Sequence, residues 1–368
     1  MKANFNRLAF VDALNLITSV VPARTPKPIL LCVHIIAGEK DVQIGATDLE
    51  VGIKYLISEV QVEQAGEAVV PADRLAAIAR ESSDDVLTME TNEGKCEITG
   101  ADSHFSIFSQ DPSQYPLVPS FEGKIDVEVA LDNLQNGIEQ CLFATAKESS
   151  RYAINGVLWE FKGKKLFLVA TDGRRLARSR INLASNPTEH ISKQKIIMPS
   201  KAMALIDKLS ANNKDNIVVN LVNNQIILSY SNVVISSALV EGNFPNYEDI
   251  IPKDYDKKLV LSTEAVLSAV RRAALLTSEE SRGIKLSFEK DTLVFSSRAP
   301  ETGDAQISMS INYKGEPIEV GFNPQFLMDV LRIMPTPEFE MELGQQDRPG
   351  LIKSGTEFIY VLMPISLG

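Results

Sequence analysis

Two stretches of the chain decide the fold: Val42-Gln-Ile-Gly-Ala-Thr-Asp48 and, 124 residues later, Leu166-Phe-Leu-Val-Ala-Thr-Asp172. Each is an apolar run typical of a strand and ends in Thr-Asp, a pair that commonly closes a turn by bonding to the backbone. A third copy, Thr292-Leu-Val-Phe-Ser-Ser297, lacks the Thr-Asp pair. Self-similarity at a fixed period indicates a chain built from copies of one supersecondary unit.

The segments around these strands repeat as well. A helical pattern precedes each copy, with apolar residues such as Phe10 and Leu14 at helical spacing. A second helical pattern follows each copy, and it begins near Pro71, Ser200 and Asn323, residue types that favour helix starts. Each block of the chain therefore holds two units of one helix plus strands.

The repeats predict three domains, at residues 1–125, 126–252 and 253–368, which we call blocks one, two and three. Strand patterns cover more of the chain than helical patterns, so the predicted class is α+β with antiparallel sheets. Each helix has one apolar stripe, which predicts that it packs on a sheet face.

Composition excludes several classes of protein. The chain has 368 residues, of which 44% are hydrophobic and 23% charged, and this excludes a disordered or collagen-like chain. Three widely spaced cysteines do not suit a disulfide framework and indicate a reducing compartment. No signal-peptide pattern and no apolar run of about 18 residues occurs, so we expect a cytoplasmic protein without a membrane partner.

The charge is unevenly distributed between helices and strands. The formal net charge is −11, yet the six helical windows (residues 6–24, 71–80, 130–147, 199–209, 263–277 and 323–334) hold ten basic and seven acidic residues. If all six helices faced one space, that space would attract phosphate without regard to sequence. Lys and Arg are also good helix formers, so charge alone favours ordinary solvated helices.

Motifs of catalysis and of metal binding are missing from the sequence. No phosphate-binding P-loop, His-Glu-x-x-His or Gly-x-Ser-x-Gly occurs, and the three histidines lack metal-ligand spacing. We therefore predict no catalytic residue, no metal and no cofactor. One alternative remains open, a hydrolase that uses Asp48 and Asp172 as acid and base; block three has no counterpart of them. A self-associating scaffold without a DNA role is the second alternative.

Two features distinguish single copies of the repeat. The segment Thr171-Asp-Gly-Arg-Arg-Leu176 carries Arg174 and Arg175, which the sister segment after Asp48 lacks. The chain end Phe358–Gly368 is apolar almost throughout, although chain ends are usually polar. Exposed apolar groups there would form a docking surface.

At three places the sequence resembles a known family: Thr171–Leu176, Phe244-Pro-Asn-Tyr247 and Val361-Leu-Met-Pro-Ile365. Together with the three-block spacing, they resemble the bacterial DNA polymerase III β subunit, the replication sliding clamp, over the whole chain. The resemblance implies a head-to-tail homodimer closed into a pseudo-six-fold ring. Helices line the ring, which encircles double-stranded DNA without reading its sequence, and no reaction is catalysed.

The resemblance also implies functional residues. Arg24, Arg151 and Tyr152 match DNA-contact positions, and Arg80, Lys201 and Arg272 are further candidates on helices. Implied partners are the polymerase catalytic subunit, an ATP-driven clamp loader and other proteins with a clamp-binding motif. Their shared peptide pocket would be formed by Ile154, Thr171, Gly173, Arg174, Arg175, Leu176, Pro245, Ile250, Asn323, Phe326, Val361, Leu362, Met363, Pro364 and Ile365.

Within this pocket we expect Leu176, Ile250 and Phe326 to form an apolar floor, and Arg175 and Asn323 to hold the polar groups of a peptide. The sequence departs from the family pattern at four positions. Ala153 replaces a second Tyr, Arg174 a His, Ser366 a basic residue, and Asp249 stands where a basic residue is common. For ring closure, the resemblance places an edge strand at residues 103–108, so that Phe105 and Ile107 meet Leu275 and Leu276 of a second copy.

Overall fold

The computed structural model describes residues 1–92, 94–147, 153–210, 215–253, 255–277 and 283–366. Arg151 and Tyr152 lie outside these ranges. Within them are seven α-helices: α1 (Arg7–Ile17), α2 (Ala72–Glu81), α3 (Leu131–Cys141), α4 (Glu189–Ser192), α5 (Ser200–Asp207), α6 (Thr263–Ala273) and α7 (Pro324–Arg332). Six of them fall in the predicted windows, and α4, a single turn, was not predicted.

The strands found in the described ranges account for most of the regular structure, as the sequence predicts. They are β1 (Lys2–Asn6), β2 (Cys32–Ala37), β3 (Val42–Thr47), β4 (Val51–Ile57), β5 (Val60–Gln64), β6 (Gly66–Pro71), β7 (Val86–Asn92), β8 (Lys95–Thr99), β9 (His104–Phe108), β10 (Val127–Ala130), β11 (Gly156–Lys162), β12 (Lys165–Thr171), β13 (Arg175–Asn182), β14 (Ile196–Pro199), β15 (Asn216–Val222), β16 (Gln225–Tyr230), β17 (Val233–Ala238), β18 (Lys257–Ser262), β19 (Ile284–Glu289), β20 (Thr292–Ala299), β21 (Gly303–Ser310), β22 (Ile318–Phe322), β23 (Glu338–Leu343), β24 (Gly350–Ser354) and β25 (Phe358–Leu362).

Except for α2, which runs one residue beyond its window to Glu81, the predicted helices end earlier than their windows. The window 130–147 holds α3 only as far as Cys141, and a 3₁₀ turn, Leu142–Ala144, follows. The Thr145 hydroxyl donates to the Leu142 carbonyl at 2.8 Å. A hydroxyl side chain that bonds to the backbone competes with the helix, and this explains the early end.

Contacts divide the chain into two compact units. The first contains Met1–Asp132, Leu183–Gln194 and Lys201–Leu239, and the second contains Asn133–Asn182, Lys195–Ser200 and Val240–Gly368. The division runs through the middle of block two. The block boundaries at residues 125 and 252 follow the sequence repeat instead, and they stay a prediction.

Sheet pairing explains why the contacts cross the block boundaries. In the first unit one antiparallel sheet has the order β10-β15-β16-β17-β4-β3-β2-β6. It joins the second half of block two to the first half of block one through β17 and β4, with Ile235 opposite Ile53. In the second unit the order is β14-β11-β12-β13-β25-β24-β23-β18, and β13 joins block two to block three at β25.

Two half-blocks are left in smaller sheets. The second half of block one forms the sheet β5-β1-β7-β8-β9 in the first unit, and the first half of block three forms the sheet β21-β20-β19-β22 in the second unit. β9 and β21 each lie at an edge of their sheet. They stand at the positions that β17 and β4 occupy in the eight-stranded sheet of the first unit.

Asp126, at the start of block two, illustrates how a buried polar group is stabilised in the first unit. It is 1% exposed. Its carboxylate accepts hydrogen bonds from the Thr188 hydroxyl (2.6 Å), the Asn220 amide (2.9 Å) and the Leu221 backbone N–H (2.9 Å). Burial alone would raise the pKa of Asp126, but these donors outweigh it and hold the pKa below its ordinary value.

Asp126→Ala is expected to lower the free energy of unfolding by about 3 kcal/mol, because it leaves buried donors without an acceptor. The folded-state pKa is depressed, so this stabilisation is complete above the unfolded pKa of about 4 and is lost as the pH falls through the lower folded-state pKa. Denaturant unfolding at pH 7 and at pH 3 measures both effects. Glu39→Ala, at an exposed carboxylate, is the control; an equal effect of the two substitutions would contradict this account.

Candidate partner pocket, DNA contacts and chain edges

The turn between β12 and β13 carries the most distinctive residues of the predicted pocket. The Thr171 hydroxyl donates to the Arg175 carbonyl (2.6 Å) and accepts from the Gly173 N–H (3.1 Å). One oxygen of Asp172 accepts from the N–H groups of Arg174 (2.9 Å) and Arg175 (3.0 Å). Gly173 has φ +85°, and a Cβ there would meet no atom within 4 Å. The turn is thus rigid, with open space beside Gly173.

The sister turn in block one uses the same bonds. The Thr47 hydroxyl donates to the Val51 carbonyl and accepts from the Leu49 N–H, both at 2.9 Å. Asp48 accepts from the N–H of Glu50 at 3.0 Å and of Val51 at 2.7 Å. The prediction that Thr-Asp closes a turn is confirmed at both places. Leu49 has φ +80° at the position of Gly173, so the same backbone here carries a large side chain.

Arg175 is enclosed by its own turn and by two other segments of the second unit. Its guanidinium donates to Asp172 (3.0 Å), to Asp329 on α7 (2.7 Å) and to the carbonyl of Phe143 after α3 (2.7 Å). The guanidinium also lies over the ring of Phe326, 4.3 Å from its centroid. The side chain is only 10% exposed.

Electrostatics keep this arginine firmly charged. Burial alone would lower the pKa of Arg175, but the neighbouring Tyr360, Asp329 and Asp172 more than compensate and raise it. Three of its five N–H groups are thus used within the chain, where they fix the turn against α7 and the end of α3. The expectation that Arg175 holds a peptide stays a prediction.

Asn323 also has an internal role. Its side-chain oxygen accepts from the Gln325 N–H at 2.8 Å and so caps the first turn of α7, which begins at Pro324. This cap satisfies a backbone donor that the helix itself leaves free. The cap occupies only the side-chain oxygen of Asn323, and the expectation that Asn323 holds a peptide stays a prediction.

The predicted pocket residues fall into a buried and an accessible group. Leu176, Val361 and Leu362 are each 1% exposed, and Leu176 belongs to a core cluster with Val361; that Leu176 forms the floor of a peptide pocket stays a prediction. Thr171 and Ile154 are buried too. The exposed or half-buried members are Gly173, Arg174, Arg175, Pro245, Ile250, Asn323, Phe326, Met363, Pro364 and Ile365.

The tail after β25 is fixed at two points. The Met363 N–H donates to the Arg174 carbonyl (3.0 Å), which extends the β13–β25 pairing, and the Ile365 N–H donates to the Gly321 carbonyl beside α7 (2.9 Å). Met363 stays 39% exposed. It therefore offers an apolar side chain near the open space at Gly173.

The predicted DNA contacts differ in how free their charges are. In the first unit, Arg24 and Arg80 are exposed, and Arg80 makes one long hydrogen bond to Asn15 (3.4 Å). Lys201, by contrast, pairs with Asp48 and donates to the Val20 carbonyl at 2.7 Å. In the second unit, Arg272 is exposed on α6. A cation balanced by a neighbouring carboxylate attracts phosphate less strongly, so Lys201 is the weakest of the four.

The predicted interface residues lie on the edge strand β9 and in the turn after α6. On β9, Phe105 and Ile107 stand opposite Ile98 and Cys96, both buried, so they continue the core face of their sheet. Phe105 is nevertheless 39% exposed, and Leu275, in the turn after α6, is 78% exposed. Both segments thus carry apolar groups without an intrachain cover.

Comparison with known protein families shows which family the chain belongs to. Models of the DNA polymerase III beta subunit match the chain in three pieces: the N-terminal domain at residues 1–119, the central domain at 128–246 and the C-terminal domain at 248–366. The chain belongs to the DNA polymerase III beta subunit family. The three repeated clamp domains predicted from the sequence are thereby confirmed.

Related clamps match over their full length. The beta sliding clamp of Pseudomonas putida is 30% identical over 373 residues, with 100% of both chains covered. Among solved structures, the DNA polymerase III subunit beta of Bartonella birtlesii (30% identity, TM-score 0.92) and that of Pseudomonas aeruginosa (28%, 0.93), both bound to griselimycin, each align over 100% of both chains.

Membership of this family settles the class of function. The protein is a DNA sliding clamp, a processivity factor of replication and not an enzyme. The hydrolase hypothesis is wrong, since Asp48 and Asp172 close turns, and so is a scaffold without a DNA role. The longest helices have 11 residues, and no helix of the described ranges is suited to cross a bilayer.

Sequence reasoning missed Asp329 and Phe143, the distant partners of Arg175. Asp329 lies one helical turn after Phe326, so a search for residues that share a face of α7 would have found it. It also missed Phe108, which is 79% exposed at the end of β9 and was visible as a third apolar residue of that strand.

Proposed function

We propose that two copies of this clamp form a closed ring through β9 of each copy and β21 of the other. The observation that supports this is the sheet pairing. Each eight-stranded sheet joins the first half of one block to the second half of the next. Block one's second half and block three's first half remain, and a second copy supplies the missing neighbour of each. Antiparallel pairing of β9 with β21 repeats the β17–β4 junction.

The ring holds DNA by enclosure. Exposed cations on helices and their connecting loops, Arg24, Arg80 and Arg272, contact the duplex. The family resemblance assigns the same role to Arg151 and Tyr152, while the charge of Lys201 is balanced by its pair with Asp48. Such contacts are made to phosphates, so they are salt-sensitive and independent of sequence. Because retention does not require tight contacts, the ring slides.

Partners dock at the surface formed by Gly173, Arg174, Ile250 and Met363. A polymerase catalytic subunit, an ATP-driven clamp loader and other proteins with a clamp-binding motif would lay apolar side chains on it in turn. An apolar cleft with a few polar groups is the usual form of a binding site. Binding there keeps the polymerase close to its template, which raises the effective concentration of the polymerase.

We further propose that the protein works in the cytoplasm. The three cysteines are all buried and free, which fits a reducing compartment.

The double variant Arg24→Ala/Arg151→Ala tests the DNA part of the proposal. Removing two phosphate contacts is expected to reduce the slope of log binding constant against log salt by about 2. Affinity should fall equally for duplexes of different sequence. The matched control is Lys290→Ala/Lys314→Ala, which removes two exposed cations outside the helices. A fall in affinity that depends on the base sequence of the duplex, or an equal effect of the control, would overturn the assignment.

A further inference from the structure

The second unit contains a cavity of about 1050 Å³ beside the proposed pocket. Its floor is the polar face of the four-stranded sheet, which carries Lys285 on β19 and Glu319 on β22. Its walls are the loop Gln345–Asp347 and the tail Pro364–Ser366. The cavity is therefore a polar recess and differs from the apolar surface around Met363.

The charges in the cavity are only partly balanced. Lys285 pairs with Glu319 at 3.0 Å. Arg298 on β20 stands directly opposite Asp304 on β21, so a positive and a negative charge face each other across this strand pair. Asp347 is exposed and forms no hydrogen bond or ion pair with any part of the chain that the structure describes. The side chains that line the cavity thus carry two positive charges and three negative charges, and the negative charge of Asp347 is the one left over.

The cavity adjoins the predicted pocket and shares Pro364 and Ile365 with it. Met363 belongs to the pocket alone, and Pro364, Ile365 and Ser366 line the cavity. Three residues of extended chain span about 10 Å. A polypeptide docked at Met363 and continued by a few residues thus reaches the cavity.

We infer that this cavity binds the segment flanking the docked motif of a partner, and that Asp347 selects a basic side chain in that segment. The inference rests on the proposed function of the pocket. A Lys or Arg of the partner would place its charge at Asp347 and add hydrogen bonds to the neighbouring Gln345 and Gln346. Motifs with a basic flank are therefore preferred over motifs with an acidic one.

The test uses synthetic peptides and the full chain. One peptide carries the clamp-binding motif of the polymerase from the same cell, and others extend it at either end by Lys-Ser-Lys or Glu-Ser-Glu. At low salt, fluorescence anisotropy should show one Lys-Ser-Lys extension binding about tenfold more tightly than its acidic counterpart. Asp347→Lys should abolish or reverse this preference and leave the affinity of the unextended peptide unchanged.

The control is Glu289→Lys, which reverses an exposed carboxylate on the same sheet but outside the cavity. Like Asp347, Glu289 is followed by a basic residue, so the two substitutions are matched in sequence context. Equal affinity of basic and acidic extensions at both ends, or a preference that survives Asp347→Lys, overturns the inference alone. No binding of the unextended peptide refutes the pocket, and the inference with it.

Discussion

Aspartate at both Ile107 and Leu276 is expected to convert the dimer into a folded monomer. In the proposed ring each interface buries the apolar edge of β9 against the turn after α6, and both substitutions act at both interfaces. A large apolar side chain contributes about 1.5–3 kcal/mol on burial. Two side chains at each of two interfaces then account for about 6–12 kcal/mol, which raises the dissociation constant by at least 10⁴.

Analytical ultracentrifugation at micromolar concentration measures this change, and circular dichroism checks that the variant is folded. Ile107 is half-buried within its own sheet, so Leu276→Asp alone serves as a second, milder variant. Leu117→Asp is the control, because Leu117 is 92% exposed and lies outside both edges. A dimer that survives both variants would show that β9 and the turn after α6 do not close the ring.

Gly173→Leu is expected to abolish partner-peptide binding and leave the ring intact. The side chain would project into the open space beside Met363, where a peptide is proposed to dock. A left-handed backbone costs a residue other than glycine about 1–2 kcal/mol. The sister turn shows that this cost is tolerated, since Leu49 occupies the same conformation with φ +80°. We expect affinity to fall at least 100-fold, which is about 2.7 kcal/mol.

The pseudo-symmetry of the chain offers a reciprocal control. Leu49→Gly introduces into block one the residue that block two has at the equivalent position, and it should leave peptide affinity unchanged. Calorimetry with a peptide from the polymerase, together with sedimentation of each variant, separates pocket from ring. Wild-type affinity in Gly173→Leu would place the docking surface elsewhere.

The local parts of the fold were predictable from the sequence. The Thr-Asp turns close through bonds between residues at most four apart, so the five residues Thr47–Val51 or Thr171–Arg175 contain every group involved. The helices follow from apolar spacing and from caps such as Asn323. Their ends were less predictable, because Thr145 decides one of them by a side-chain bond that helical periodicity does not reveal.

The non-local parts were not predictable from these patterns. Arg175 was predicted only as a peptide contact, and its partners within the chain, Phe143 and Asp329, lie 32 and 154 residues away. A sequence pattern shows that a charge is present, not whether a distant group balances it. In the same way, the repeat gives the period of the chain but not the pairing of β4 with β17, which joins halves of neighbouring blocks.

Retention on circular DNA tests the central claim most directly. The wild-type clamp is loaded onto a nicked plasmid by the loader of the same cell, and the complex is isolated by gel filtration in about 0.5 M salt, where phosphate contacts alone are too weak to hold it. A ring that encloses the duplex predicts that the clamp stays with the circle and leaves within minutes once a restriction enzyme linearises it. Equal retention on circular and linear DNA would contradict enclosure.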